Sequence, residues 1–247
     1  MTTILFIHGF PFDHTMWRHQ VTALSRWRCI APDLRGVGEA ASSQPPSEYT
    51  VAAYAGDLIR VLDDLKIADA VICGLSLGGY IAFEMLRSYH TRVRGAVLCN
   101  TKAPGDTPSA KRDRDAMAEL AQRRGAAAIA EQLLPKVLSP TTFEKRPEVV
   151  SEVRAMITRS PLSGILGALH ALRERPDSTP LLPTIRAPVL AIAGGDDQIA
   201  PADGMRAMAA AIRGAECVVI PEAGHLTPLE QPLAFTVALK RFLEKLS

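Results

Sequence analysis

The segment Gly74-Leu75-Ser76-Leu77-Gly78, followed by Gly79, carries the clearest chemical signal in the chain. It lies where an apolar run, residues 70–75, gives way to a stretch with helical spacing, residues 77–90. A serine at such a junction sits on a strained strand-to-helix turn that lifts its hydroxyl above the sheet. Glycine is needed on both sides, because a Cβ there would collide with neighbouring backbone in so tight a turn. The helix N-terminus behind the serine offers free N–H groups and a partial positive charge. The chemistry would be nucleophilic attack by the Ser76 hydroxyl, with a purely structural turn as the alternative.

A serine hydroxyl is a weak nucleophile and needs a base within hydrogen-bond reach. Six histidines compete for that role. His225 lies in Pro221-Glu222-Ala223-Gly224-His225-Leu226, after the last apolar run and before the C-terminal helical stretch. This puts it in a loop at the same end of the sheet as Ser76, with Gly224 leaving the backbone free to aim the ring. His14, His19 and His90 fall in helical or linker stretches, where a surface role is the default. His170 falls in a helical region and could line a pocket or pack. The base must in turn be oriented by an acid that stabilises the imidazolium. The apolar run 189–193 leads into Gly194-Gly195-Asp196-Asp197-Gln198-Ile199-Ala200-Pro201, and Pro201 is suited to opening a helix. The local pattern does not choose between the adjacent aspartates. The order Ser, Asp, His is the one expected for such a constellation on a parallel sheet.

The elements that must position these residues follow from hydrophobic patterning. Apolar runs at 4–8, 29–32, 70–75, 95–99, 189–193 and 217–220 read as strands buried on both faces. Between them, residues 51–65 place Val51, Tyr54, Ala55, Leu58, Val61, Leu62 and Leu65 on one helical stripe, with Arg60, Asp63 and Asp64 pointing away. Residues 77–90 and 233–246 show the same pattern. Strands alternating with helices predict a parallel sheet wrapped on both sides. From residue 103 to 183 the alternation stops. Helical pieces at 116–121, 126–134, 149–157 and 162–172 are cut at Pro108, Pro135, Pro140, Pro147, Pro161 and Pro176. The expected organisation is therefore a core of residues 1–102 and 184–247, with residues 103–183 as a helical lid over the carboxyl edge of the sheet, where ligands bind.

Composition narrows the function. With 47% hydrophobic and 22% charged residues the chain has the balance of a soluble globular protein. A net charge of +2 is too small to imply a nucleic-acid partner or an anionic membrane. The basic clusters at 111–114 and 123–124 read as solvated helix faces. There is no basic n-region at the start and no uncharged apolar stretch of about 18 residues, so a cytoplasmic protein without a membrane span is expected. Cys29, Cys73, Cys99 and Cys217 are widely spaced, with no C-x-x-C, and read as reduced thiols. They are not grouped with the histidines as metal ligands would be, so neither metal nor cofactor is expected.

Taken with His8-Gly9-Phe10-Pro11, Pro32-Asp33-Leu34-Arg35-Gly36 and Gly224-His225, the elbow and the Asp197 loop resemble those of α/β-hydrolase fold enzymes over essentially the whole sequence. The resemblance implies a triad of Ser76, Asp197 and His225. It favours Asp197 over Asp196, because the family acid precedes a proline by four positions, as Asp197 precedes Pro201. Asn100 occupies the acid site of some relatives, but an amide cannot carry that charge. Backbone N–H groups of Leu77 and Phe10 would form the oxyanion hole, such donors being worth about 3–4 kcal/mol each. Pro11 has no N–H, and its fixed φ would stiffen the loop. By the same resemblance His8 holds that loop. Asp33 and Arg35 read as loop-fixing residues, with a place near the pocket as the alternative, and Glu230, just before Pro232, reads as structural. Trp17 packs beneath the loop or lines the pocket. Relatives usually begin with a two-stranded hairpin, whereas here the strand ending in His-Gly starts at Ile4. About six parallel strands are therefore expected, with a sheet edge exposed or covered by a partner, in a monomer or homodimer.

The substrate implied is a small-molecule carboxylic ester or lactone. Within the family, Gly78-Gly79-Tyr80 most resembles small bacterial carboxylesterases and 3-oxoadipate enol-lactonase-like enzymes. Cofactor-free perhydrolase or haloperoxidase-type chemistry and carbon–carbon bond hydrolysis are related alternatives, and ligand binding without catalysis is the more distant one. A dehalogenase would need a carboxylate where this chain has Ser76.

Overall fold

The computed structural model describes residues 2–40 and 45–246. In chain order these form β1 (Thr3–Ile7), α1 (Arg18–Ala23), β2 (Arg28–Ile30), α2 (Val51–Asp64), β3 (Ala70–Leu75), α3 (Leu77–Ser88), β4 (Val93–Cys99), α4 (Pro108–Val137), α5 (Pro140–Lys145), α6 (Pro147–Thr158), α7 (Leu162–Glu174), β5 (Val189–Gly194), α8 (Ala202–Ala210), β6 (Glu216–Ile220), α9 (Thr227–Glu230) and α10 (Pro232–Glu244). The strands make one sheet in the order β2-β1-β3-β4-β5-β6, and every neighbouring pair is parallel. The six strands match the six apolar runs to within one or two residues at each end. Among the described residues no strand precedes β1, and no helix is long and apolar enough to cross a membrane.

Strand periodicity splits the core in two. Ile4, Phe6, Val71, Cys73, Val97, Leu190 and Ile192 face a cluster with Trp17 and the α10 side chains Phe235 and Leu239. Leu5, Ile7, Ile72, Ala96, Leu98 and Ala191 face the opposite cluster, with Tyr54 of α2, Ile81 of α3 and Met205 of α8. Each such fully buried aliphatic or aromatic side chain contributes about 1.5–3 kcal/mol. Burial on both faces holds for the inner strands but not the outer ones. β2 and β6 are half-exposed along most of their length, since an edge strand has no neighbour on one side.

The order of strands reverses after β1, which sits between β2 and β3. Such a switch point opens a crevice at the strands' carboxyl ends. The two loops flanking it are the ones that follow β1 and β3, and they are in close contact. A Cβ on Gly78 would lie 2.2 Å from the carbonyl oxygen of Ile7, and one on Gly74 would lie 2.2 Å from that of Gly78.

Between β4 and β5 the elements are helical, as the patterning predicts. The breaks differ in one respect. Pro108, Pro140 and Pro147 open helices, but Pro135 lies inside α4, in its last turn. α4 is instead interrupted at Gly125, where φ is 73° and ψ is −176°. Pro135 forgoes its own rung of the ladder and α4 ends two residues later, whereas glycine reaches positive φ without steric cost.

α7 is seated through its small residues. Gly164 lies against Gly36 and Gly167 against the ring of Tyr49, where added Cβ atoms would come within 2.0 Å and 2.4 Å of their neighbours. At Gly164 the obstacle is the backbone carbonyl of Gly36, which cannot rotate away. Gly164→Ala is therefore expected to lower the unfolding free energy by about 1–3 kcal/mol, the usual cost of overpacking. Urea denaturation of the two proteins checks this, and equal midpoints would mean that α7 is not held at this contact.

Candidate active site

Ser76 has φ 54° and ψ −108°, in the left-handed half of backbone space that few non-glycine residues occupy. The surroundings hold it there. Its N–H donates to Cys99 O at 2.9 Å, and its carbonyl accepts from the Thr101 hydroxyl at 2.9 Å and from Gly79 N at 2.9 Å. The residue is half-buried while its neighbours on either side are buried. Leu77 opens α3, so its N–H has no partner within the helix. The N–H of Phe10 likewise makes no hydrogen bond among the described residues. Phe10 and Leu77 line one narrow slot together with His8, Gly9, Pro11, Leu34, Ile165 and Ala168.

His225 and Asp197 meet in the interior, with side chains 3% and 0% exposed and Nδ1–H donating to Oδ2 at 2.8 Å. The same oxygen accepts from Asn100 Nδ2 at 2.8 Å, while Oδ1 accepts from the N–H groups of Ile199 and Ala200 at 2.8 and 3.0 Å. Burial alone would raise the Asp197 carboxyl. The neighbouring imidazole and these donors outweigh that, and hold it below the ordinary carboxylate value. Asp196 is exposed, so of the two adjacent aspartates only Asp197 reaches the histidine.

Asn100, at φ 46° after β4, also donates to Gly224 O at 3.2 Å and accepts from the Thr227 hydroxyl at 2.8 Å. It thus joins the loops after β4, β5 and β6, one residue from the carbonyl that holds Ser76 N. Sequence order places Asn100 at a possible acid position but says nothing of this donor role. Thr101 and Thr227 carry no sequence signal of their own.

His8 is buried beneath the slot. Its Nε2 accepts from Leu34 N at 2.9 Å, so Nδ1 carries the proton and donates to Gly9 O at 2.9 Å. Burial lowers its pKa despite that bond and the nearby Asp33 and Asp13 carboxylates. A neutral histidine with both nitrogens engaged fixes the loop and is not a second base. Asp33 accepts from the backbone and ring of His14, and Arg35 grips Asp57 with two 2.8 Å bonds, in keeping with loop-fixing roles.

Two candidate substrate contacts lie elsewhere. Trp17 is fully buried between Phe6 and Phe235, at ring distances of 5.0 and 5.9 Å, so its large apolar ring fills the core beneath the sheet. His170 lines a different cleft, with Arg114, Asp115 and Arg173 between α4 and α7, because its position on α7 turns it away from the face bearing Ile165 and Ala168. Among the described residues one group, Asp13, His14 and Asp33, gathers possible metal-ligand atoms within 4.8 Å. These atoms are already engaged, Asp13 by Thr15 and Arg159 and Asp33 by His14. The cysteines are free thiols, with Cys73 and Cys99 buried and 4.0 Å apart.

Comparison with known proteins places this geometry in context. Residues 2–232 match the model of the alpha/beta hydrolase fold family. A thermophilic esterase from Thermogutta terrifontis superposes with a TM-score of 0.96 at 42% identity, covering 100% of this chain and 90% of that one. The enol-lactonase from Burkholderia xenovorans superposes with a TM-score of 0.91 at 32% identity, covering 98% and 91%. In sequence, 3-oxoadipate enol-lactonase 2 of Acinetobacter baylyi is 28% identical over 244 residues, which is 98% of this chain and 88% of the relative. The chain belongs to the alpha/beta hydrolase fold family.

Proposed function

We propose that this member of the family hydrolyses carboxylic esters or lactones of small molecules through an acyl-enzyme formed on Ser76. The observation that carries the reading is the buried Asp197–His225 pair, set at the same sheet edge as a serine in a strained elbow. In this reading Ser76 Oγ attacks the carbonyl carbon and passes its proton to His225 Nε2, the ring nitrogen left over from the bond to Asp197. The carbonyl π electrons move to oxygen, and the N–H groups of Phe10 and Leu77 hold the resulting oxyanion. Collapse expels the alkoxide, which takes the proton from His225. Water, deprotonated by His225, then attacks the acyl-enzyme, releasing the acid and restoring Ser76. Asp197 stays ionised throughout and holds the imidazole in the required tautomer. Esterase and enol-lactonase relatives at 28–42% identity support the substrate class.

The test is hydrolysis of short p-nitrophenyl esters. Wild type should turn over and Ser76→Ala should not; equal rates would overturn the proposal. Asp197→Asn should lose about 10⁴-fold in kcat, whereas Asp196→Asn should stay near wild type.

The slot beside the two oxyanion donors has a free volume of about 10 Å³, room for about one water or methyl group, and its walls include Leu34, Ile165 and Ala168. In this reading the acyl group enters that slot and is small. Acetyl esters should be cleaved faster than butyryl, and butyryl faster than octanoyl, with Ile165→Ala narrowing the difference. A chain-length profile that rises toward octanoyl in the wild type would contradict the assignment of this slot.

A further inference from the structure

Glu230 stands outside the triad, yet it is 1% exposed and its carboxylate accepts four hydrogen bonds. Oε1 takes the N–H groups of Gly224 and Leu226 at 2.9 and 3.1 Å, the residues on either side of His225. Oε2 takes Ser139 N at 2.7 Å and the Thr142 hydroxyl at 2.8 Å, at the corner between α4 and α5. The same corner touches the histidine directly, since His225 N donates to Val137 O at 2.9 Å. Arg146 completes the junction by donating to the carbonyls of Glu230 and Leu229 at 2.7 and 3.2 Å.

These bonds single out a carboxylate. Four donors converge on one buried side chain, three of them backbone N–H groups that cannot turn away. An ionised carboxylate presents only acceptors and satisfies all of them, whereas a glutamine would aim an NH₂ group at one pair or the other. An apolar residue would leave the three backbone N–H groups without a partner. The peptide units being held are the two that flank His225, so their position sets where the imidazole points. A misplacement of about 1 Å at a reacting group costs about 100-fold in rate.

We infer that Glu230 is a positioning residue: it clamps the backbone on both sides of His225 and ties that loop to the root of the helical insertion, keeping the imidazole on Asp197. The inference rests on the reading of His225 as the general base. It also links the placement of that base to the segment that closes over the sheet edge, so a change at α5 is transmitted to the triad.

The experiment pairs kinetics with a measurement that needs no turnover. In Glu230→Gln, kcat for p-nitrophenyl acetate should fall by about 10- to 100-fold, with KM within about two-fold of wild type. The far-downfield proton NMR signal of the His225 Nδ1–H, a reporter of its bond to Asp197, should broaden or vanish. If kcat per folded molecule and this signal both match wild type, whatever happens to the melting temperature, the inference is overturned. Thr142→Val removes one donor to Oε2 without touching the histidine loop, and serves if the glutamine variant does not fold. It should give a smaller fall in kcat, an unchanged KM and a shifted Nδ1–H signal; wild-type values for both kcat and the signal would overturn the coupling. Failure of the acyl-transfer reading would look different, with wild type no faster than Ser76→Ala while the NMR response to Glu230→Gln persists.

Discussion

A carboxylate taken out of water must be supplied with donors, and Asp197 draws its four from separate parts of the chain. Ile199 and Ala200 N–H come from its own loop, the Asn100 amide from the end of β4, and the His225 ring from the loop after β6. Desolvation would neutralise the group if any large part of this shell were missing. The requirement therefore draws three loops to one point and sets where they meet. Asn100 is the pivot, since its amide also reaches Gly224 and Thr227, and the carbonyl before it holds the N–H of Ser76. The strained φ of Ser76 survives because both ends of the residue are bonded and the two close glycines leave room.

A second buried carboxylate also gathers donors around the histidine loop. Glu230 collects its donors from the His225 loop and from the α4–α5 corner, while Arg146 holds the carbonyls behind it. The two carboxylates bear on His225 in different ways. Asp197 touches the ring and Glu230 touches only the peptide units around it. The rest of the insertion is fixed by close packing, with α7 lying on Gly36 and Tyr49 through Gly164 and Gly167. Arg159 adds a latch, bonding Asp13 at 2.6 Å and the Thr15 hydroxyl at 2.8 Å in the segment that follows the Phe10 loop.

Much of this could be read in advance. The inner strands were visible as apolar runs because a parallel strand buried on both faces excludes polar residues along a continuous stretch, and the edge strands β2 and β6 by their shorter runs of apolar residues. The elbow was visible because its glycines are required by backbone contact within a few residues. The gap between the helical pieces 116–121 and 126–134 coincides with the interruption at Gly125, where glycine adopts positive φ, whereas the cut expected at Pro135 lies within the last turn of α4. His170 was a reasonable pocket candidate by its helix alone. Which face of α7 points at the slot depends on how Gly164 and Gly167 dock, and that information is not local.

By itself, then, the amino-acid sequence determined the order of elements, the parallel sheet with its helical insertion, and the serine and histidine at its carboxyl edge. These are consequences of periodicity and of short-range steric limits, which act between residues close in the chain. The spacing to Pro201 favoured Asp197 by resemblance, but only the tertiary structure showed that it and not Asp196 meets His225, that Asn100 donates to that acid, and that Glu230 grips the histidine loop. Those outcomes depend on donors and acceptors as many as 97 residues apart, as for Asn100 and Asp197. Hydrogen bonds of this kind are selected by which groups are buried together, and burial is a property of the folded chain.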